Sequence, residues 1–163
     1  MLVLLGSHMS VDGGLYRAFE RGSSIACATM QIFTKNSSRW RSPPLTENDI
    51  QTYKSAQAKA RITPVVAHAA FLINLCASNK GTLHLSREAF VDELHRCEVL
   101  GISSLIFHPG SHMGTGEGAG LTLIAESLNR AHEKTKGFKT PEKLFTASAS
   151  LMMILKMAFL LKA

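Results

Sequence analysis

Short apolar runs alternate along the chain with longer amphipathic stretches, a pattern typical of repeated β-strand and α-helix units. The predicted strands are the apolar runs Leu2–Leu5, Ala26–Phe33, Thr63–Ala67 and Ile102–Phe107. Four such units favour a parallel sheet, which both a doubly wound fold and half of a β/α barrel contain. Residues 6–14 lack the GxGxxG spacing of a dinucleotide site, and periodicity alone does not choose between the two folds.

Helices are predicted between the strands from apolar spacing and from capping residues. Their predicted limits are Leu15–Arg21, Thr46 to about Arg61, Ser86 to Gly101, and Leu121 to Gly137. Asp49, three residues after Thr46, forms a weak capping box, and Gly101 is a typical residue to end a helix. Each of the last two helices is predicted from an apolar stripe. The stripe of the third helix consists of Phe90, Val91, Leu94 and Cys97, and that of the fourth consists of Leu121, Ile124, Leu128 and Ala131.

The composition is that of an ordinary globular chain. With 163 residues it is shorter than a complete eight-fold barrel, which needs roughly 250. Apolar residues make up 45%, which excludes a disordered chain, and the net charge of +6 suits a polyanionic partner such as nucleic acid without requiring one. The three cysteines have no CxxC spacing and predict free thiols in a reducing compartment. The first residues lack the positive start of a signal peptide, so we expect an intracellular protein.

Polar residues fall where the predicted strands end, which is where functional side chains of parallel β/α folds cluster. His8 and Ser10 follow the first strand, Asn36 follows the second, and His68 and His108 end the third and fourth. Neighbouring strands lie about 4.8 Å apart, so two imidazoles at matching strand ends are able to share one metal ion. The alternative is a pair of hydrogen-bonded structural histidines, and two ligands alone do not complete a zinc site.

The loop after the second strand is basic. No acidic residue occurs between Glu20 and Glu47, whereas several cations surround Trp40 in the sequence, namely Arg21, Lys35, Arg39 and Arg41. Basic residues interleaved with an aromatic ring suit a phosphate backbone and an unstacked base. The alternative is a solvated loop with one buried tryptophan.

Six motifs carry a resemblance to a known family. They are GSHMSVDGG at residues 6–14, FTKN with Arg39 and Trp40, His68 with the downstream LINL, RCEVLG, FHPGSH at residues 107–112, and IAESLN. Together, in order and spacing from about Leu2 to Thr140, they resemble endonuclease IV, the zinc-dependent apurinic/apyrimidinic endonuclease.

The resemblance implies an α/β chain of the (β/α)₈ TIM barrel type with a trinuclear zinc cluster at the C-terminal face of the barrel. It also implies cleavage of the phosphodiester 5′ to an abasic site in DNA during base excision repair. The expected location is the nucleus or mitochondrion of a eukaryote, or the cytoplasm of a bacterium.

The resemblance also implies individual residue roles. His68 and His108 match the two histidines that bind the first zinc ion, and no catalytic residue is assigned. The remaining acidic and histidine ligands belong to the second half of the family's barrel, so this chain is expected to hold at most a partial zinc site.

Four residues are expected to contact DNA. Asn36 matches a residue of the family's DNA-contacting loop, and Arg39 and Trp40 lie in the same loop. A family arginine aligns with Ser38, which shifts one phosphate or minor-groove contact onto Arg39. Phe71 stands where some members carry a tyrosine, and it keeps the stacking surface without the hydroxyl.

The family pattern stops after Thr140, where a Glu-Asn-Thr segment is expected and PEKLFTAS follows instead. We therefore predict about four βα units of a truncated barrel at residues 1–140 and an unrelated apolar tail at 141–163. The tail is interpreted as a product of altered splicing, a frameshift or a mispredicted gene; the alternatives are a membrane anchor, which Lys156 disfavours, and a helix covering the inner face of the sheet. Open sheet edges predict self-association.

Two other functions compete with abasic-site cleavage. The first is a non-catalytic fragment with weak DNA binding, which is favoured for the isolated chain because most metal ligands are absent. The second is a sugar isomerase of the related xylose-isomerase-like barrels. The FTKN loop with Arg39 and Trp40, and the FHPGSH segment, argue for the nuclease.

Overall fold

The fold is a four-fold repeat of strand and helix. A computed structural model describes residues 4–138 of the chain. In chain order the elements are β1 (Gly6–His8), α1 (Arg17–Ser24), β2 (Thr29–Phe33), α2 (Glu47–Ala60), β3 (Val65–His68), α3 (Lys80–Leu100), β4 (Leu105–Ile106) and α4 (Glu117–Lys134). The strands form one parallel sheet in the order β1-β2-β3-β4. This consecutive order is that of a barrel, because a doubly wound sheet reverses its strand order at a switch point. The predicted α/β fold of the barrel type, with four βα units within residues 4–138, is confirmed.

The strand limits differ from the predicted ones at several ends. Leu4 and Leu5 are 49% and 72% exposed and precede β1, so a first strand ending at Leu5 is wrong. The fourth strand contains only Leu105 and Ile106. Ile102 is buried, but it lies in the turn that ends α3, where its N–H donates to Cys97 O. Apolar runs therefore mark burial here rather than strand pairing.

The helix limits also differ. Thr46 and Asp49 form the predicted capping box of α2, and Gly101 ends α3 in a left-handed conformation with φ +73°. However, α3 begins at Lys80 behind an Asn79 cap, six residues before the predicted Ser86. The fourth helix begins at Glu117 and ends at Lys134, before Gly137.

The core lies between the outer face of the sheet and the helices. Side chains alternate along each strand, so Met30, Ile32, Val65, Ala67 and Leu105 are buried against the helices. The predicted stripes of α3 and α4 pack on them, and every stripe residue except Val91 is buried: Phe90, Leu94, Cys97, Leu121, Ile124, Leu128 and Ala131.

The inner face of the sheet carries the alternate residues. Gln31, Val66 and Ile106 are half-buried, and the register pairs Gln31 with Val66, Phe33 with His68, and His68 with Ile106. The strand-end side chains therefore stand on one continuous surface, at its C-terminal edge.

Among residues 4–138, no helix is both long and apolar enough to cross a membrane. The predictions made for the tail, including the anchor, the covering helix and the domain limit at residue 140, lie outside the described residues.

Candidate metal and nucleic-acid site

Five rings meet at the C-terminal edge of the sheet. Phe33 contacts three of them, with centroid distances of 4.6 Å to His8, 5.6 Å to His68 and 5.2 Å to Phe71. His68 in turn lies 5.6 Å from Phe71 and 5.3 Å from His108. The structure thus brings His68 and His108 together at adjacent strand ends, and their role as metal ligands stays a prediction.

His68 is held in one orientation. It is the last residue of β3, is 6% exposed, and its Nδ1 lies 2.8 Å from Ala69 O. A carbonyl oxygen only accepts, so Nδ1 carries the proton and Nε2 the free lone pair. Burial lowers the pKa of His68, the Ala69 carbonyl opposes this shift, and a charge on His108 lowers the pKa further. Burial and orientation together favour a neutral imidazole with an available Nε2, which is the form that binds a metal ion.

The spacing of the two rings fits a shared ion. Two imidazoles that bind one tetrahedral zinc ion at about 2.0–2.1 Å place their ring centroids roughly 5 Å apart. The observed separation is 5.3 Å with a 53° angle between the ring planes. Within residues 4–138 no group of three or more His, Cys, Asp or Glu side chains is arranged to hold a metal ion. The described residues therefore offer two donors of a site that needs more.

His8 stands beside this pair without joining it. Gln31 Nε2 donates to His8 Nδ1 at 2.7 Å, and the His8 ring packs on Phe33. The loss of hydration at this contact lowers the pKa of His8, and so does the nearby His68. Phe33 contacts both rings, so an apolar side chain adjoins each histidine.

The loop after β2 presents Asn36 and Arg39 to solvent. Asn36 Oδ1 accepts from Ser38 N at 2.9 Å, and Asn36 O accepts from Arg39 N at 3.3 Å, which makes a tight turn. Asn36 and Ser38 line one cleft together with His8. The loop therefore reaches the edge of the sheet at which the rings gather.

Two of the predicted contact residues differ in their surroundings. Phe71 is 66% exposed, and its N–H donates to Ser37 O at 3.2 Å, which links it to the loop after β2. Trp40 is half-buried and lines a separate cleft with His84 and Asp92 of α3. Phe71 thus lies at the ring cluster, whereas Trp40 packs towards α3, and its contact with DNA stays a prediction.

The predicted cluster of cations around Trp40 is wrong for Lys35, and Arg21 has partners within the protein. The Lys35 side chain is 1% exposed, and its Nζ lies 2.6 Å from Asp92 Oδ2. Arg21 donates to Ser10 O at 2.7 Å and to Asp12 O at 2.8 Å, so it braces the loop after β1. Lys35 is therefore too buried to be presented to a phosphate backbone.

Sequence reasoning missed a group of buried polar residues behind the loop. Thr34, Lys35, Glu93 and Arg96 are between 1% and 6% exposed. One signal was available, since Glu93 interrupts the apolar stripe of α3 directly before Leu94. A charged residue at such a position requires buried partners.

Comparison with known proteins agrees with this fold. A family model described as a xylose isomerase-like TIM barrel matches residues 19–140. A probable endonuclease 4 of Chloroflexus aggregans is 41% identical over 125 residues, which is 77% of this chain and 44% of that protein. One of Geobacter sulfurreducens is 40% identical over 126 residues, with 77% and 43% covered.

Solved structures share the fold. Endonuclease IV from Thermus thermophilus superimposes with a TM-score of 0.75 at 24% identity, covering 90% of this chain and 54% of that chain. D-psicose 3-epimerase from Clostridium cellulolyticum, solved with D-tagatose, superimposes with a TM-score of 0.62 at 12% identity. The match covers 86% of this chain and 52% of the epimerase chain. At these identities the likeness concerns the fold alone.

The chain belongs to the xylose isomerase-like TIM barrel family. Within that family its curated relatives are endonucleases 4, so the resemblance to endonuclease IV found in the sequence is confirmed. The chain spans 44% of the length of the Chloroflexus aggregans relative.

Proposed function

We propose that this chain supplies the first two zinc ligands and a DNA-contacting loop of an endonuclease that cleaves DNA at abasic sites. The pair of imidazoles 5.3 Å apart at the edge of the sheet carries this proposal. The names of the relatives and the net charge of +6 support it.

His68 and His108 would hold a divalent ion. Such an ion, when bound, generates a hydroxide nucleophile near neutral pH and polarises the phosphate. His68 contributes a neutral Nε2 from a buried position, and His108 an exposed ring at the rim. The protein's part is to keep both rings at one edge of the sheet, beside the loop that meets the nucleic acid.

The remaining residues would bind the damaged strand. The exposed ring of Phe71 offers a stacking surface to the gap that the absent base leaves. Asn36 and Arg39 are exposed on the adjoining loop, where they reach phosphate or sugar groups. An abasic nucleotide has no base to unstack, so its extrusion costs little and favours damaged over intact DNA.

We further propose that the 163-residue chain alone binds abasic DNA weakly and does not cut it, because the described residues supply only two metal donors. Within residues 4–138, β1 and β4 each pair with a single strand, which leaves an edge on either side. Such edges promote pairing with another copy, so we expect self-association. In sedimentation velocity, species larger than a monomer should grow with concentration; a monomer at every concentration would contradict the self-association.

The test of the nuclease function compares the chain with a chimera that joins residues 4–138 to the second half of the Chloroflexus aggregans endonuclease 4. With zinc, the chimera should nick a duplex containing one abasic analogue and leave the undamaged duplex intact, and the chain alone should nick neither. The control is the chimera with His68→Ala and His108→Ala. A folded chimera without abasic-site nicking would refute the proposed function, and turnover by the chain alone would refute its inactivity.

A further inference from the structure

We propose that Glu93, buried in α3, is a positioning residue that sets the DNA-contacting loop against the metal-binding strand end. This inference rests on the proposed function, which assigns DNA contact to the loop after β2 and metal binding to the end of β3. Glu93 makes its hydrogen bonds to Thr34 and to the Ala70 backbone, so it would act on the ring cluster through the segments that these bonds hold.

The two carboxylate oxygens of Glu93 bind two different loops. Oε2 accepts from Thr34 Oγ1 at 2.5 Å, and Thr34 is the first residue after β2. Oε1 accepts from Ala70 N at 3.1 Å, and Ala70 lies between His68 and Phe71 in the chain. One side chain that is 1% exposed therefore ties together the base of the loop and the segment that carries the metal ligand.

Lys35 balances the charge of this carboxylate. Its Nζ lies 3.9 Å from Glu93 Oε1 and 2.6 Å from Asp92 Oδ2, and its side chain is 1% exposed. Burial raises the pKa of Glu93, whereas Lys35, the Thr34 hydroxyl and the Ala70 N–H act in the opposite direction. Because Lys35 directly precedes Asn36, the same ion pair that compensates Glu93 also fixes the start of the exposed turn.

Arg96, one turn further along α3, holds both ends of the loop. It donates to Thr34 O at 3.4 Å at one end, and to Ser42 O at 3.4 Å and Pro43 O at the other. Its Nε lies 3.1 Å from Asp92 Oδ2. Asn36, Arg39 and Trp40, three of the four predicted DNA contacts, lie between these two anchored ends.

Stability alone does not explain a buried ionic group of this kind. Taking charges out of water is costly, and apolar residues of similar volume often stabilise a core equally well or better. Directional hydrogen bonds, in contrast, select one arrangement of the groups they join. The network joins loops that come from separate βα units, and those are the loops whose relative position matters for binding DNA next to a metal ion.

The experiment separates positioning from stability with the double variant Glu93→Gln with Lys35→Met. It removes one negative and one positive buried charge together, so the urea midpoint should stay near that of the wild type. Glutamine replaces the charged acceptor of both hydrogen bonds with a neutral amide, so the contacts with Thr34 and Ala70 become weaker. The loop should therefore loosen even though the fold is retained.

Trp40 reports on the loop directly, since it is the single tryptophan of the chain. In the 163-residue chain without DNA, acrylamide should quench Trp40 more strongly in the double variant than in the wild type. Affinity for a duplex with one abasic analogue should fall roughly tenfold, as expected when a charged hydrogen bond no longer orders the binding surface. The control is Glu126→Gln, which removes an exposed carboxylate on α4 and should change neither measurement.

Thr34→Val is the second variant, for the case in which the double variant fails to fold. It keeps the shape of the side chain but removes the hydroxyl that donates to Glu93, and it should increase quenching in the same way. Its control is Thr122→Val, whose hydroxyl donates to Gly118 O on the exposed side of α4. Restoring the hydroxyl with Thr34→Ser should return quenching towards the wild-type value.

Wild-type quenching of Trp40 in folded variants would overturn the positioning role. If quenching increases but the wild-type chain binds abasic and undamaged duplexes equally, the proposed function fails while the ordering of the loop by Glu93 stands. Increased quenching with weaker abasic-site binding and an unchanged urea midpoint is the result that the inference requires.

Discussion

Replacing His68 by alanine is expected to lower the zinc affinity of the chain by at least about 100-fold, since residues that merely orient a metal ligand already contribute 10- to 100-fold. His68 is one of two candidate donors, and the hydrogen bond to Ala69 O leaves its Nε2 free. The affinity is measured by competition with a zinc-binding dye, and by the visible absorption of Co²⁺ in the same site. In the chimera, the same change should abolish nicking of abasic DNA.

His8→Ala is the matched control for this loss. His8 is also a strand-end histidine with a ring on Phe33, but it contacts Gln31 and lies outside the proposed donor pair. Zinc affinity should stay close to the wild-type value in this variant. If zinc binding is lost in His8→Ala and retained in His68→Ala, the metal site lies at the end of β1 and the assignment of His68 and His108 is wrong.

Replacing Phe90 by alanine is expected to lower the free energy of unfolding by about 3–5 kcal/mol, the range for truncating a buried phenylalanine. Phe90 is 2% exposed, and its ring lies 4.8 Å from that of Phe107, which is 3% exposed. Small domains are stable by only about 5–15 kcal/mol, so this loss brings the chain near the limit of folding. Urea denaturation followed by circular dichroism provides the measurement.

The same substitution at an exposed phenylalanine is the control. Phe71 is 66% exposed, so Phe71→Ala should change the free energy of unfolding far less, while it weakens binding to abasic DNA. Equal losses of stability in the two variants would contradict a stabilising contact between Phe90 of α3 and Phe107, the residue after β4. Zinc affinity is a second readout for Phe90→Ala, because Phe107 directly precedes His108 and loosening the contact between Phe90 and Phe107 should also weaken zinc binding.

Much of the fold is predictable from local signals. The Thr46 and Asp49 capping box and the left-handed Gly101 set the ends of α2 and α3 because their effects operate within a few residues. Strand limits are harder to predict, since Ile102 is as buried as a strand residue while its backbone pairs with α3. The start of α3 escaped prediction because its first two turns contain only two apolar side chains, Leu83 and Leu85, and the continuous apolar stripe begins at Phe90.

The candidate site, too, was predictable only in part. His68 and His108 could be placed together in advance because parallel strands end at a common edge, and each histidine lies at the end of its predicted strand. The burial of Lys35 could not be predicted from the sequence. Its partner Asp92 lies 57 residues further along the chain, and only the packing of α3 brings the two residues together. Before the packing is known, a lysine in a basic loop is indistinguishable from a solvent-exposed cation.

The hydrogen bond from His68 Nδ1 to the carbonyl of the very next residue has a thermodynamic consequence for ligand capture. Immobilising a side chain on association costs roughly 0.5–1.5 kcal/mol. At His68 the imidazole is already held in place once the polypeptide has folded. If His68 binds a cation as proposed, the ion would meet a preorganised donor, and its affinity would not be diminished by that entropy loss.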